Sequence, residues 1–432
     1  MTSNSRFTQS SSNPERLYLA SPSSAALQTS ALDSEYSGFK PLRLAGKAIL
    51  PIVQGGMGVG VSAHKLAGAV ARENAMGTIA SIDLRHHHAD LMEQTERCRD
   101  RDEIDRVNLI ALDREIKAAR AVSGGRGLIA VNVMKAVRAH PALVRQTCES
   151  GADVLVMGAG LPLDLPEMVA DYPKIALVPI LSESRGVAIV MKKWLKKGRC
   201  PDAIIIEHPG LAGGHLGAAK VSDLHSSKFE FETVLQDCQA LFAELGLGSD
   251  APPLILAGGI DSHEKVRHWL NAGASGVQLG TAFAVSAEGD AHVNFKKVLI
   301  QANPRELTEF VSVAGLPARA VPTHWLKQYQ LHEVRMQASA KADPRRCAQR
   351  ADCLTQCGLR DGIGRSGQFC IDMKLVSALQ GEVSKGLFFR GAGKLPFGEE
   401  IRPVRELITY LLSGLRPATL AQHTPVCAVQ AA

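Results

Sequence analysis

The chain has 432 residues, of which 45% are hydrophobic and 21% charged, a balance that excludes a fibrous or wholly disordered protein. Its net charge of +6 is small for this length and is not gathered into a basic block with interleaved aromatic residues, which argues against a nucleic-acid partner. Nine cysteines, an odd number, predict no disulfide framework, and without a long apolar run or an N-terminal signal we expect a cytoplasmic protein that does not span a membrane.

Residues 1–38 are rich in Ser, Asn and Pro, and we expect a disordered leader there. From residue 48 onward, eight near-continuous apolar runs follow one another, which is typical of strands buried on both faces. These runs are 48–55, 77–81, 127–133, 154–160, 175–181, 203–208, 253–259 and 276–283. Helical patterns separate them at 64–74, 113–124, 142–151, 184–198, 231–246 and 263–273, with a short crossover at 163–172.

Eight strands alternating with helices predict an α/β fold, a closed parallel (β/α)8 TIM barrel over residues 39–325. The strand-helix rhythm stops after about residue 285, so we expect a small Cys-containing helical and irregular appendage at 326–416 and a flexible tail at 417–432. A doubly wound sheet is the alternative, because residues 58–63 read G-x-G-x-x-A after a strand. The count of eight strands argues against it.

Glycine-rich segments follow the seventh predicted strand and end the eighth. The first contains Gly258 and Gly259, and the second reads Gln278, Leu279, Gly280 and Thr281. Loops at these positions of such barrels commonly bind phosphate, because backbone N–H groups approach the anion. We therefore predict a phosphate site, with the Thr281 hydroxyl as a further donor. In the alternative interpretation, the paired glycines only make a tight turn before Asp261 and Ser262, which suit a helix cap, and the two interpretations are compatible.

Three further groups lie at predicted strand ends. His215 follows Gly213 and Gly214 after strand 6, where barrel enzymes place their chemistry, and an imidazole with little side-chain cover could act as an acid or base there. The alternative is an ordinary surface histidine. The segment 54–58 after strand 1 carries three glycines that could lie against a flat ring, and Asn132 after strand 3 offers a donor and an acceptor.

Taken as a set, these motifs resemble the nitronate monooxygenase family, formerly called 2-nitropropane dioxygenases. They are QGGMGVGVSAHKLA (54–67), VNVM (131–134), LAGGHLG (211–217), AGGI (257–260) and QLGTAF (278–283). FMN-dependent enoyl-acyl-carrier-protein reductases are similar. The resemblance covers roughly residues 45–325 and continues into the Cys-rich appendage of a longer subgroup.

The resemblance implies FMN in the barrel mouth. Gln54, Gly55, Gly56 and Met57 would line the isoalloxazine ring, Asn132 would hydrogen-bond it, and Gly213 and Gly214 would lie beside it. Gly258, Gly259 and the segment Gln278, Leu279, Gly280 and Thr281 would hold the ribityl phosphate. His215 would abstract a substrate proton or orient substrate oxygens. One residue more than the family's usual spacing precedes Gly-Gly-His, so a polar flavin contact falls to Glu207 or His208, and we favour Glu207.

The implied activity is the oxidation of alkyl nitronates with O2 to a carbonyl compound and nitrite. An NAD(P)H-dependent flavin reductase acting on an enoyl thioester or a quinone is the alternative, and a flavin-binding subunit without turnover is a third. The expected partners are a small-molecule substrate and O2, with NAD(P)H in the reductase alternative, no nucleic acid and no membrane. Self-association into a homo-oligomer is compatible with the sequence.

Two clusters suggest metal binding. Cys347, Cys353, Cys357 and Cys370 are spaced C-x5-C-x3-C-x12-C, and thiolates suit Zn²⁺ or an iron–sulfur cluster. The spacing fits no standard pattern, so buried free thiols remain the alternative and we assign no metal ligands. For the three consecutive histidines at 86–88 we expect an exposed turn, because neighbouring loop residues cannot easily converge on one ion.

Overall fold

The computed structural model describes residues 38–98, 100–347 and 353–418. Except for their innermost one or two residues, the expected leader and tail lie outside the described residues. The strands are β1 (Leu42–Leu44), β2 (Lys47–Ile49), β3 (Ile52–Gln54), β4 (Met76–Ala80), β5 (Leu128–Met134), β6 (Val154–Gly158), β7 (Ala176–Leu181), β8 (Ile204–Glu207), β9 (Gly214–His215), β10 (Leu254–Ala257), β11 (Gly276–Leu279), β12 (Thr308–Val311) and β13 (Pro317–Ala320).

The α-helices alternate with the strands through the first two thirds of the chain. They are α1 (His64–Arg72), α2 (Ala89–Thr95), α3 (Arg101–Ser123), α4 (His140–Glu149), α5 (Leu165–Met168), α6 (Ser184–Leu195), α7 (Phe231–Glu244), α8 (His263–Asn271), α9 (Thr281–Ala284), α10 (Val293–Gln301), α11 (His324–Ala338), α12 (Gly358–Asp361), α13 (Ile371–Leu379) and α14 (Val404–Ser413). Among the described residues, no helix combines the length and the apolar character that crossing a membrane requires.

Eight strands form a closed barrel in the order β10-β11-β3-β4-β5-β6-β7-β8, and the pairings between them are parallel. The predicted TIM barrel is therefore confirmed, and the doubly wound alternative is wrong. Inward-facing side chains such as Val53, Met76 and Ile205 form one buried cluster inside the barrel. A larger cluster fills the layer between the strands and the surrounding helices, which is why the strands read as continuous apolar runs.

The first apolar run divides into two elements. Its beginning belongs to β2, which pairs with β1 as an antiparallel hairpin, and its end forms the barrel strand β3. Leu42 and Ile49 of this hairpin are buried in the same cluster as the inward-facing side chains of the barrel. The hairpin therefore closes the N-terminal end of the barrel, and the other end is left for the functional site.

The three consecutive histidines do not form an exposed turn, so that prediction is wrong. The ring of His87 contacts the Gly60 carbonyl oxygen, with 2.8 Å between Nε2 and that oxygen. His88 lies 3.0 Å from the buried carboxylate of Glu115 on α3. The reason is tertiary. Helix α3 is about twice as long as its predicted helix, and its buried Glu115 pairs with His88.

The C-terminal part contains a sheet that the sequence did not predict. Strands β12 and β13 form an antiparallel hairpin, and β9 pairs with β13 as a third strand. Strands of two to four residues carry too little alternation to be recognised by pattern. Through this sheet the hairpin is attached directly to the segment that carries His215.

Candidate functional site

The described residues enclose a cavity of about 470 Å³ at the C-terminal ends of the barrel strands, within the range of roughly 300–1,000 Å³ that ligand pockets occupy. One wall is the barrel rim, the segments that follow the barrel strands. The other wall is the cover, which we define as residues 308–320 and 353–394. Cover residues that line the cavity are Leu316, Cys353, Leu354, Ile371, Asp372, Leu375, Ala378, Leu387, Phe389 and Arg390.

Nine of the fifteen predicted site residues line this cavity, so the structure brings the main motifs together. They are Gly56, Met57, Asn132, Glu207, Gly213, Gly214, His215, Gly280 and Thr281. Gly56 lies directly against Asn132, because a Cβ built on Gly56 would be 2.5 Å from the Asn132 Cβ. The backbone after β3 and the side chain at the end of β5 therefore form one surface.

Six predicted residues lie behind the cavity wall. The Gln54 amide is hydrogen-bonded to β4, with Nε2 donating to the Thr78 carbonyl at 3.1 Å and Oε1 accepting the Thr78 N–H at 2.9 Å. Gly55 packs on the Gln278 side chain, and its N–H donates to the Leu279 carbonyl. The Gln54 amide and the Gly55 N–H, which were predicted to lie against the flavin ring, are therefore already hydrogen-bonded within the protein.

Gly258 and Gly259 also stand outside the cavity lining. Both have positive φ angles, and they pack against the 208–212 segment, where a Cβ on Gly259 would be 2.9 Å from a Leu211 methyl carbon. The following Ser262 caps α8, as the alternative interpretation expected. Of the predicted phosphate residues, Gly280 and Thr281 are the ones that reach the cavity.

His215 is held more firmly than its glycine-rich surroundings suggested. It lies in β9, pairs with Ala318 of β13, and its Nε2 is 2.9 Å from the Ser312 Oγ. Because Ser312 Oγ also accepts the Ala314 N–H, the serine hydrogen is available for the imidazole. Burial lowers the pKa of His215 to about 4, so the ring is neutral at ordinary pH. The expectation of little side-chain cover is wrong.

Glu207 ends β8 and faces the cavity rather than bulk water. Burial raises the pKa of Glu207 to about 7, because a carboxylate loses its hydration there. Its neighbour His208 does not line the cavity; its Nδ1 accepts the Gly210 N–H at 3.0 Å. Of the two residues weighed for the polar contact, Glu207 is therefore the one placed to touch a ligand.

Arg390 is a cavity residue that the sequence did not reveal. It is buried, and its guanidinium donates to the carbonyl oxygens of Leu299, Gly391 and Gly393 at 2.9–3.2 Å. No carboxylate is among these partners in the described part of the chain. The adjacent Gly391 N–H donates to Thr281 Oγ at 3.0 Å, which places the backbone beside Arg390 against one of the predicted phosphate residues. A buried cation without an acid is a suitable partner for an anion.

Arg319 attaches the cover to the rim. Arg319 is buried and donates to the carbonyl oxygens of Pro209 and Ala212 while pairing with Glu309. Asp372 faces the cavity, and its Oδ1 has no hydrogen-bond partner within the described residues. Arg319 lies more than 100 residues from the two carbonyl groups that it contacts, so no local pattern could have linked it to the site.

Comparisons with known proteins agree with this architecture. A sequence profile of the nitronate monooxygenase family matches residues 43–414. The chain is 26% identical over 291 residues to a probable nitronate monooxygenase of Bacillus subtilis (strain 168), covering 66% of this chain and 79% of that protein. It is 31% identical over 123 residues to a putative nitronate monooxygenase of Saccharomyces cerevisiae, covering 27% of this chain and 30% of that protein.

Two solved structures are similar over most of their length. FabK from Thermotoga maritima aligns with a TM-score of 0.58 at 21% identity, covering 88% of this chain and 94% of that one. A nitroalkane oxidase from Streptomyces ansochromogenes aligns with a TM-score of 0.56 at 18% identity, covering 87% and 96%. At these identities the likeness concerns the fold.

Proposed function

Because the chain belongs to the nitronate monooxygenase family, and is thus a flavin-dependent oxidoreductase, we propose that it oxidises alkyl nitronates with O2 in the cavity at the barrel mouth. The products are a carbonyl compound and nitrite. The proposed flavin is FMN, which supplies one- and two-electron redox chemistry when bound. The observation that carries the proposal is that one cavity contains both a neutral imidazole and an arginine that has no carboxylate partner among the described residues.

The cavity walls suit a flat ring. Gly56 and Gly213 both line it, and neither position has room for a Cβ, since Gly56 abuts Asn132 and Gly213 abuts the backbone of Arg390 and Gly391. Backbone without side chains can approach a planar ring closely. We propose that Asn132 hydrogen-bonds the ring edge, as the family resemblance implies, and that Met57 packs beside it.

The phosphate of FMN would be held where the rim meets the cover. Arg390 would supply charge, and the Thr281 hydroxyl, which already accepts the Gly391 N–H, would donate its own hydrogen. Gly280 lines the cavity beside them. Gly258 and Gly259, the other predicted phosphate residues, support this corner through their contacts with the 208–212 segment.

His215 is suited to orient a nitronate. A base whose conjugate acid has a pKa of about 4 holds a proton weakly, whereas general bases work best with a pKa near the operating pH. If Ser312 donates to Nε2, the Nδ1–H of the neutral ring is the donor available to a nitronate oxygen. The site therefore favours substrates that are already deprotonated over neutral nitroalkanes.

Glu207 would set the charge of the cavity. Below pH 7 its carboxyl is mostly neutral and can donate a hydrogen bond, and above pH 7 it ionises. Since a nitronate is an anion, the neutral carboxyl is compatible with the substrate and the carboxylate repels it. The proposed working form of the site thus contains neutral Glu207, neutral His215 and cationic Arg390.

The proposal is tested by oxygen consumption. Purified flavin-loaded protein is mixed with ethylnitronate or propionate-3-nitronate while O2 uptake and nitrite are recorded, and a parallel reaction follows NAD(P)H oxidation with crotonyl thioester or a quinone. We expect O2 uptake that depends on the nitronate and is accompanied by nitrite. NAD(P)H oxidation without nitronate turnover would establish the reductase alternative, and bound flavin with no turnover of either kind would indicate a flavin-binding subunit.

A further inference from the structure

The proposed oxidation makes no use of the four cysteines at 347–370. Each of these residues, Cys347, Cys353, Cys357 and Cys370, carries a free thiol. The other described cysteines are dispersed over the barrel layer, at positions 98, 148, 200 and 238. The concentration of four thiols in the cover therefore requires its own explanation.

Backbone contacts bring the segments of Cys357 and Cys370 together. Cys357 immediately precedes α12 and Cys370 immediately precedes α13. Gly358 packs so closely on the Gly367 carbonyl that no Cβ would fit, and the Gln368 side chain donates to the Gly358 carbonyl at 3.1 Å. The residue that follows Cys357 therefore contacts the segment that precedes Cys370.

The remaining two cysteines are connected through Arg360 of α12. Its guanidinium donates to the Leu354 carbonyl at 2.9 Å and to the Thr355 carbonyl at 3.0 Å, which holds the loop between Cys353 and Cys357. Its backbone carbonyl accepts the Asp343 N–H at 3.0 Å, and this bond fixes the turn that ends at Cys347. All four cysteines therefore belong to one small, cross-linked lobe.

The four thiols of the lobe lie near one another. Cys353 is the most enclosed of the four, and the ionisable groups close to it are Asp372 and the other three thiols. The sulfur atoms of Cys357 and Cys370 accept backbone N–H groups from the first turns of the helices they precede, although burial raises the pKa of both thiols overall. Apolar side chains such as Phe369 and Leu387 pack around the lobe.

The positions of the four cysteines bear on whether they bind a single metal ion or an iron–sulfur cluster. A single tetrahedral ion needs its ligands to converge on one point, and no group of three His, Cys, Asp or Glu side chains does so within the described ranges. In a cluster of four irons and four sulfides, each cysteine thiolate binds a different iron, so the four sulfur atoms stay apart from one another. We propose that Cys347, Cys353, Cys357 and Cys370 bind an iron–sulfur cluster of the [4Fe–4S] type.

Such a cluster would lie next to the proposed flavin. Cys353 and its neighbour Leu354 line the same cavity as Gly56 and His215. The cover would then have two roles, closing the cavity and holding the cluster at its wall. The inference does not depend on nitronate oxidation, because binding of iron and sulfide can be measured without any substrate.

The test uses the full-length protein, produced with added iron and purified without air. We expect about four irons and about four acid-labile sulfides per chain, and an electron paramagnetic resonance signal after reduction with dithionite. Cys353→Ser and Cys370→Ser should each lose most of the iron and sulfide. The matched control Cys148→Ser changes a thiol on α4 outside the lobe and should retain both.

Several results would overturn the proposal. One zinc per chain without iron, iron without sulfide, or no metal after reconstitution with ferrous iron and sulfide would each exclude the cluster. Full iron and sulfide content in Cys353→Ser would show that the metal is bound elsewhere. Circular dichroism of each variant separates loss of the cluster from loss of the fold, and the metal content of the unsubstituted protein is decisive alone.

Discussion

The barrel rim and the cover contribute to the same cavity but are encoded differently. Rim residues such as Gly56, Asn132 and Gly280 follow strands whose apolar runs are visible in the sequence. Cover residues such as Arg390 and Asp372 come from a region with short strands and irregular loops. The repeating strand-helix pattern therefore predicts the rim residues of the site. The cover residues reach the site through contacts between segments that are more than 100 residues apart in sequence.

His215 is where the two regions meet, since it follows a barrel strand but is held by Ser312 of the cover. We predict that His215→Asn lowers kcat/KM for ethylnitronate by about 10- to 100-fold, the effect of losing a hydrogen bond to a charged group. Flavin content should be unchanged. Ser312→Ala, which only releases the ring, should cost a few-fold, and a His215→Asn enzyme within twofold of the original would remove the histidine from the proposed site.

The contact between rim and cover is closest at Gly213. A Cβ there would collide with the backbone of Arg390 and Gly391. We expect Gly213→Ala to lower the free energy of unfolding by about 1–3 kcal/mol and to weaken flavin retention, because the cover must move away.

Gly186→Ala is the matched control for this contact. Gly186 also lines the cavity, but its added Cβ would meet Leu181 Cδ2 at an ordinary 3.6 Å, and its place in α6 favours alanine. Denaturant titrations of both variants make the comparison. Equal stability of the two would show that the cover is not packed against Gly213 as described.

A further effect concerns pH. The folded-state pKa of Glu207 is raised from 4.5 to about 7, so its neutral form prevails below that pH and its carboxylate above it. We expect kcat/KM for the nitronate to fall by up to about tenfold per pH unit above pH 7. Glu207→Gln should remove this fall, and an unchanged profile in that variant would assign the ionisation to another group.

The part of the site that belongs to the barrel could be predicted from the sequence. Buried parallel strands, their order and the positions of His215, Glu207 and Asn132 at strand ends could be predicted, because each follows from a local apolar run. Gln54 was assigned to the ring, yet its amide pairs with Thr78 inside the wall, since a buried amide must find hydrogen-bond partners. Arg390 could not be found, because nothing near it in sequence indicates that Thr281 is its neighbour.

If rim and cover together bind the phosphate of a flavin, the protein must distinguish flavins that carry a phosphate from those that do not. Apoprotein is titrated with FMN and with riboflavin, which lacks the phosphate, in the unsubstituted chain, in Arg390→Met and in Arg390→Lys. We expect the original chain to bind FMN about 10- to 100-fold more tightly than riboflavin. Arg390→Met should remove most of this preference, and Arg390→Lys should restore part of it. Equal affinity for the two flavins in the unsubstituted protein would contradict the proposed phosphate site.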